Sequence, residues 1–223
     1  MLVLAADTSG KRGSIALAEC GPESGCNVLE VLPLEGGTFS AQLVPQISEL
    51  LRKHHFNRKD IGAFAPASGP GSFTGLRIGL AAIKALAEVL QKPVASVSLL
   101  EAVAVAGNAR GKVISALDAG RGEMYCGQYE VTERARMISE QLLGGKELVA
   151  AARSLKVITP DSRIADFAHG QGLAVELVTP PDSGSIARLC WEKLLAGQTV
   201  SPETLDANYI RRPDAEISSK LKI

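Results

Sequence analysis

Apolar runs broken by polar punctuation divide the chain into short strands and amphipathic helices. Residues 2–8 (LVLAADT) predict a buried strand with Asp7 near its polar end. Two more strands are expected at 13–20 and 27–34, with 9–12 short enough for a hairpin. Over residues 40–55, Leu43, Ile47, Leu50 and His54 fall on one stripe with Val44 and Leu51 beside it, which predicts a helix. Ser40 is its expected N-cap, Phe39 the hydrophobic residue before it, and Pro45 lies near the first turn, where proline is tolerated. A strand at 61–68, a glycine-rich turn at 69–75, a helix over 72–91, a strand at 94–98 and a helix over 98–107 complete a first series.

The series then restarts. Residues 113–120 (VISALDAG) read as a strand ending in a carboxylate, followed by strands at 123–131 and 135–143. Helices are expected at 145–153, 163–170 and 185–197, and strands at 156–161 and 174–180. The turn residues GNARGK near 105–110 set the expected boundary, giving one lobe at 1–107 and another at 108–223. The C-terminal tail is given two places, in its own lobe or packed back on the first. A strand-hairpin with Asp near the first strand's end thus occurs twice, at Asp7-Thr8-Ser9 and Asp118-Ala119-Gly120. This pattern resembles the two-lobed actin-like ATPase fold (ASKHA, ribonuclease H-like), an α/β class in which each lobe is a mixed sheet with flanking helices.

The helix over 72–91 is more apolar than one sheet requires. Leu76, Leu80, Ile83, Ala87 and Leu90 make one stripe, and Ile78, Ala82, Ala85 and Val89 a second. Something must cover the second face: the 40–55 helix, or helices of a partner. Gly75 and Gly79, four apart, admit close backbone approach. The 69–72 turn also suits an anion at a helix N-terminus, although no Lys-Ser/Thr follows as in a P-loop.

Composition narrows the chemistry. Lys plus Arg and Asp plus Glu number 24 each among 223 residues, which argues against a chain that grips nucleic acid alone. Aromatics are only 4%, with no cluster for stacking bases. The four cysteines form no C-x-x-C pair and are expected as free thiols. The three histidines form no metal-binding spacing. No apolar stretch approaches the ~20 residues of a membrane span, and no signal peptide is seen, so a cytoplasmic protein without membrane contact is expected.

The segment GPGSFTGLRIGLAAIKALA at 69–87 closely resembles the signature of the bacterial tRNA threonylcarbamoyladenosine biosynthesis family TsaB (YeaZ). LAADTS at 4–9, FSAQLVPQI at 39–47, PVASVSLLEAVA at 93–104, LDAGRGEMYCGQY at 117–129 and ANYIRR at 207–212 agree in order, so the likeness covers nearly the whole chain. One departure is Phe39-Ser40, where the family often has His-Ser.

The resemblance implies a non-catalytic activator that pairs with a TsaD-like catalytic subunit. With a TsaE-like ATPase, that pair would transfer threonylcarbamoyl to N6 of adenosine 37 in tRNAs reading codons that begin with A (t6A37). TsaD carries a metal-binding H-L-E-G-H segment where this chain reads Leu99-Leu100-Glu101-Ala102-Val103. Leu99 and Val103 offer no imidazole, so no metal, no cofactor and no catalytic residue is expected here. The expected partner face combines Leu43, Ile47 and Leu51 with Phe73, Gly75, Ile78, Gly79, Ala82 and Ala85; without the partner, the same face would form a homodimer. Contact with tRNA is expected to be indirect, with Arg211 and Arg212 the candidate tRNA-facing charges beside Lys220 and Lys222. The rival reading is an autonomous actin-like ATPase or phosphotransferase using Asp7 and Asp118, with Thr8, Ser9 and Gly120 around the phosphates. In the first reading these five are vestigial.

Overall fold

A computed structural model describes residues 1–211. In chain order it contains β1 (Leu2–Asp7), β2 (Arg12–Gly21), β3 (Gly25–Glu35), α1 (Phe39–Lys53), β4 (Ile61–Gly69), α2 (Phe73–Leu90), β5 (Val97–Ser98) and α3 (Leu99–Ala106). It continues with β6 (Gly111–Gly120), β7 (Glu123–Val131), β8 (Ala135–Gly144), α4 (Gly145–Ala151), β9 (Lys156–Thr159), α5 (Ser162–Gly170), β10 (Val175–Leu177) and α6 (Ser183–Leu195).

The described residues divide into two units, 1–102 with 181–207 and 103–180 with 208–211. In the first, the strand order is β3-β2-β1-β4-β5, an antiparallel meander extended by parallel β4 and β5. In the second the order is β10-β9-β6-β7-β8, the same arrangement built from β6 onward. The restart in the sequence is therefore a repeat of topology. Among the described residues, no helix is long and apolar enough to cross a membrane.

Side-chain size sorts the faces of the first sheet. Leu2, Leu4, Ile15, Leu17 and Phe64 form one core with Leu43, Ile47 and Leu50 of α1 and Leu80 and Ile83 of α2. By the pleat, Val3, Ala5, Ala16 and Ala18 point to the opposite face, where they are fully buried. Their small size admits α6, which packs against β1, β2, β3 and β4. In the second unit, Ile114, Met124, Cys126 and Val157 of the sheet pack with Leu148 of α4 and Ile164 of α5.

The helix expected at 185–197 in the second lobe is α6, and with residues 181–207 it returns to the first unit. Ser183 of α6 is anchored there by its hydroxyl, which donates to the Ser14 carbonyl at 2.7 Å. α1 starts at Phe39 with Thr38 as its N-cap, not Ser40, because the Phe39 ring is buried in the core and draws that residue into the first turn. Pro45 consequently sits in the second turn, on the exposed face of the helix. The strand expected over 94–98 shortens to β5, with Val94 making only isolated bridges to Phe64 and Val200. Cys20 and Cys26 are not free thiols: they stand opposite each other in the β2–β3 ladder and form a disulfide. Cys126 and Cys190 are free and buried, and burial pushes each thiol up to about 12.

The C-terminal end of α1 is tied to edge strand β3. Glu30 accepts from Lys53 Nζ at 2.7 Å and pairs with His54 Nε2 at 2.8 Å. The hydrogen bond from Lys53 is the main cause that holds the Glu30 carboxyl below its ordinary value of 4.5. A depressed folded value means this stabilisation is present above the unfolded value and is lost as pH falls through the folded one. Glu30→Gln is therefore expected to flatten the acid limb of the melting temperature against pH below about 4.5. An unchanged limb would show that the tie contributes nothing.

Candidate functional site

In the first unit, the turn after β1 and the start of α2 are built onto each other. Asp7, Thr8 and Ser9 are all buried. Asp7 Oδ1 accepts the Ser9 N–H at 2.8 Å, and burial raises the Asp7 carboxyl above its usual range. The Thr8 hydroxyl donates to the Gly75 carbonyl at 2.7 Å, and the Ser9 carbonyl accepts the Ser72 N–H at 2.6 Å. Ser72 caps α2 by accepting the Gly75 N–H on its hydroxyl at 3.3 Å.

Three glycines make that approach possible. A Cβ on Gly71 would lie 2.5 Å from the Ser9 carbonyl oxygen. One on Gly75 would lie 2.0 Å from the Thr8 carbonyl oxygen, and one on Gly79 would lie 2.3 Å from Thr8 Oγ1. The glycine-rich segment is thus an internal clamp. It also bears on the phosphate reading: the Thr8 hydroxyl, the Ser9 carbonyl and the Ser72 amide already have partners in the chain.

The second unit presents a more open counterpart. Asp118 Oδ1 accepts the Gly120 N–H at 2.9 Å, and Oδ2 accepts from Arg163 Nη2 at 2.9 Å. The same guanidinium reaches Asp161 Oδ2 at 3.1 Å. Gly120, Arg121 and Gly122 turn the β6–β7 hairpin with φ of +72°, +59° and +76°, a left-handed run that favours glycine at its ends. Asp7 and Asp118 belong to different units, each with partners in its own.

At the start of α3, Leu99 is almost fully buried and Val103 fully so, and neither carries a ligating atom. Glu101 is ion-paired with Lys193 Nζ at 3.0 Å. A segment of two aliphatic side chains and a neutralised carboxylate does not fit a metal ion. Among the described residues, no group of three or more His, Cys, Asp or Glu is arranged to hold one.

The residues assigned to a partner face separate into three groups. Leu43, Ile47 and Leu51 face inward and fill the core of their own unit, because α1 lays that stripe on the sheet. Gly75 and Gly79 are buried against Thr8, so the backbone they admit is the chain's own. Phe73, Ile78, Ala82 and Ala85 keep accessible surface. The Arg77 guanidinium lies 3.8 Å over the Phe73 ring, while Ile78 and Ala82 also pack against the core. The fully outward line runs through Ala81, Ala85 and Val89, the last 79% exposed, with Val44 of α1 also exposed. Ala81 and Val44 were absent from the expected face. Ala81 stands four residues before Ala85, a spacing that could have found it.

Arg211 is engaged within its own unit: Nη1 donates to the Ala119 carbonyl at 2.7 Å and Nη2 pairs with Glu123. Arg212, Lys220 and Lys222 lie outside the described residues.

Residues 36–190 match the family model described as TsaD, tRNA N6-adenosine threonylcarbamoyltransferase. The tRNA threonylcarbamoyladenosine biosynthesis protein TsaB of Escherichia coli is 33% identical over 95% of this chain and 95% of its own length. The Haemophilus influenzae protein of the same name is 30% identical over 78% of this chain and 71% of its own. Among solved structures, a Pseudomonas aeruginosa protein described as uncharacterized and similar to peptidase YeaZ superposes with a TM-score of 0.76. It is 26% identical, with 94% of this chain and 99% of that one covered.

Proposed function

We propose, from the premise that the chain belongs to the TsaB family, that it serves tRNA threonylcarbamoyladenosine formation as a non-catalytic subunit. It binds a TsaD-like catalytic subunit and holds it in its competent state. With a TsaE-like ATPase, the pair transfers threonylcarbamoyl to N6 of adenosine 37 in tRNAs reading codons that begin with A. The activated donor, threonylcarbamoyl-AMP, comes from a separate enzyme. We place the complex in the cytoplasm, with tRNA held mainly by the partner, as the chain's zero net charge favours.

One observation carries this reading: α2 is covered by its own unit on one side, yet presents Ala81, Ala85 and Val89 to solvent. Small apolar side chains in line suit a second helix laid close against them. The aliphatic Leu99 and Val103 support the non-catalytic half of the proposal. The internal commitments of Thr8 and Ser9 weigh against an autonomous ATPase.

The test is complex formation with a TsaD-like subunit, read by size-exclusion chromatography with light scattering. A one-to-one complex that displaces any homodimer is expected. Two proteins that elute separately at micromolar concentration would overturn the reading.

A further inference from the structure

The second unit contains a pocket of about 330 Å³ that the partner-binding role does not use. Its size falls in the range of small-ligand sites. Its lining is mixed: Met124, Ile164 and Phe167 are apolar, and Asp118, Asp161 and Arg163 are charged.

The charged groups limit what can bind. Arg163 uses Nε and Nη2 on Asp161 and Asp118, leaving both N–H groups of Nη1 unengaged among the described residues. Glu123, also in the lining, accepts from Arg211 on Oε2 and has Oε1 unengaged among the described residues. The carboxylates that neutralise Arg163 disfavour a phosphate. Its guanidinium, standing between Asp118 and Asp161, disfavours a metal ion. What remains is a hydrogen-bond donor, Nη1, and an acceptor, Glu123 Oε1, beside an aromatic ring.

That ring belongs to Phe167, which is 38% exposed, and a Cβ on Gly145 would come 2.9 Å from its Cζ, so the glycine leaves room for the ring tip. A half-exposed aromatic ring lining the same pocket as a guanidinium suits a flat, neutral heterocycle that both donates and accepts hydrogen bonds. We propose that this pocket binds a nucleobase, supplied as a free nucleoside or as an unpaired base of an RNA. The proposal rests on the second unit alone and is independent of the face on α2.

The test is an ¹⁵N–¹H correlation spectrum of the full chain titrated with adenosine, with ribose as control and a single-stranded RNA loop as a second arm. Adenosine is expected to shift the Gly120, Gly122 and Gly145 amides saturably, and ribose is not. Phe167→Ala should weaken binding about fivefold or more, while Phe167→Tyr keeps it. An RNA loop that binds tenfold tighter than adenosine identifies RNA as the source, and equal affinity identifies the free nucleoside. The proposal is overturned if nothing saturates up to about 10 mM adenosine, where even a millimolar site fills. It is equally overturned if Phe167→Ala, shown folded by its melting curve, binds as the parent does.

Discussion

Gly75→Ala is expected to destabilise the protein by about 3 kcal/mol or more, the upper range for forcing atoms into a packed interior. The new Cβ would stand 2.0 Å from the Thr8 carbonyl oxygen, a backbone atom that cannot rotate away. Relief requires α2 to lift from the turn after β1. That breaks the Thr8 hydroxyl bond to the Gly75 carbonyl and strains the Ser72 bond to Ser9. A thermal melt should fall by about 6–12 °C at this chain length. Gly170→Ala is the control: it ends α5, its Cβ would meet nothing within 4 Å, and its stability should stay within about 0.5 kcal/mol of the parent. A Gly75→Ala melt matching that of Gly170→Ala would refute the clamp.

The spacing of Gly75 and Gly79 was legible in the sequence as a site of close approach, but not what approaches. A glycine row fits a partner helix and an internal turn equally well, and only the fold brings Thr8 there. The same ambiguity affects α1. Its stripe of Leu43, Ile47 and Leu51 is plainly apolar, yet periodicity gives a face without saying whether a sheet or a partner covers it. The repeat was readable because both halves open with an apolar strand whose Asp lies at or near its end, followed by a meander. α6 was misplaced for the opposite reason: residues 185–197 look amphipathic, and nothing in their pattern names the sheet they cover. The disulfide depended on register, since only the β2–β3 ladder sets Cys20 opposite Cys26.

Ala85→Glu is expected to weaken the complex with a TsaD-like subunit by roughly 100-fold or more. An unpaired carboxylate buried at an interface costs about 3–5 kcal/mol, and each 1.4 kcal/mol is about tenfold in affinity. Ala85 is the informative position because it is exposed in the free chain, so the charge is solvated until the partner arrives. Ile78 and Ala82 pack partly against the core, where a charge would also perturb folding. The melting temperature of Ala85→Glu should therefore match the parent's while its affinity, measured by titration calorimetry, collapses. Full affinity in this variant would move the interface off the outward face of α2.

The role proposed for this chain is to activate a catalytic partner without performing the transfer itself. Its most direct test is a reconstituted assay with tRNA, threonylcarbamoyl-AMP, the TsaE-like ATPase and the TsaD-like subunit, with each protein omitted in turn. Modified adenosine is expected only when the TsaD-like subunit is present, and in quantity only when this chain is added. Modified tRNA formed without the TsaD-like subunit, or at an undiminished rate without this chain, would contradict it.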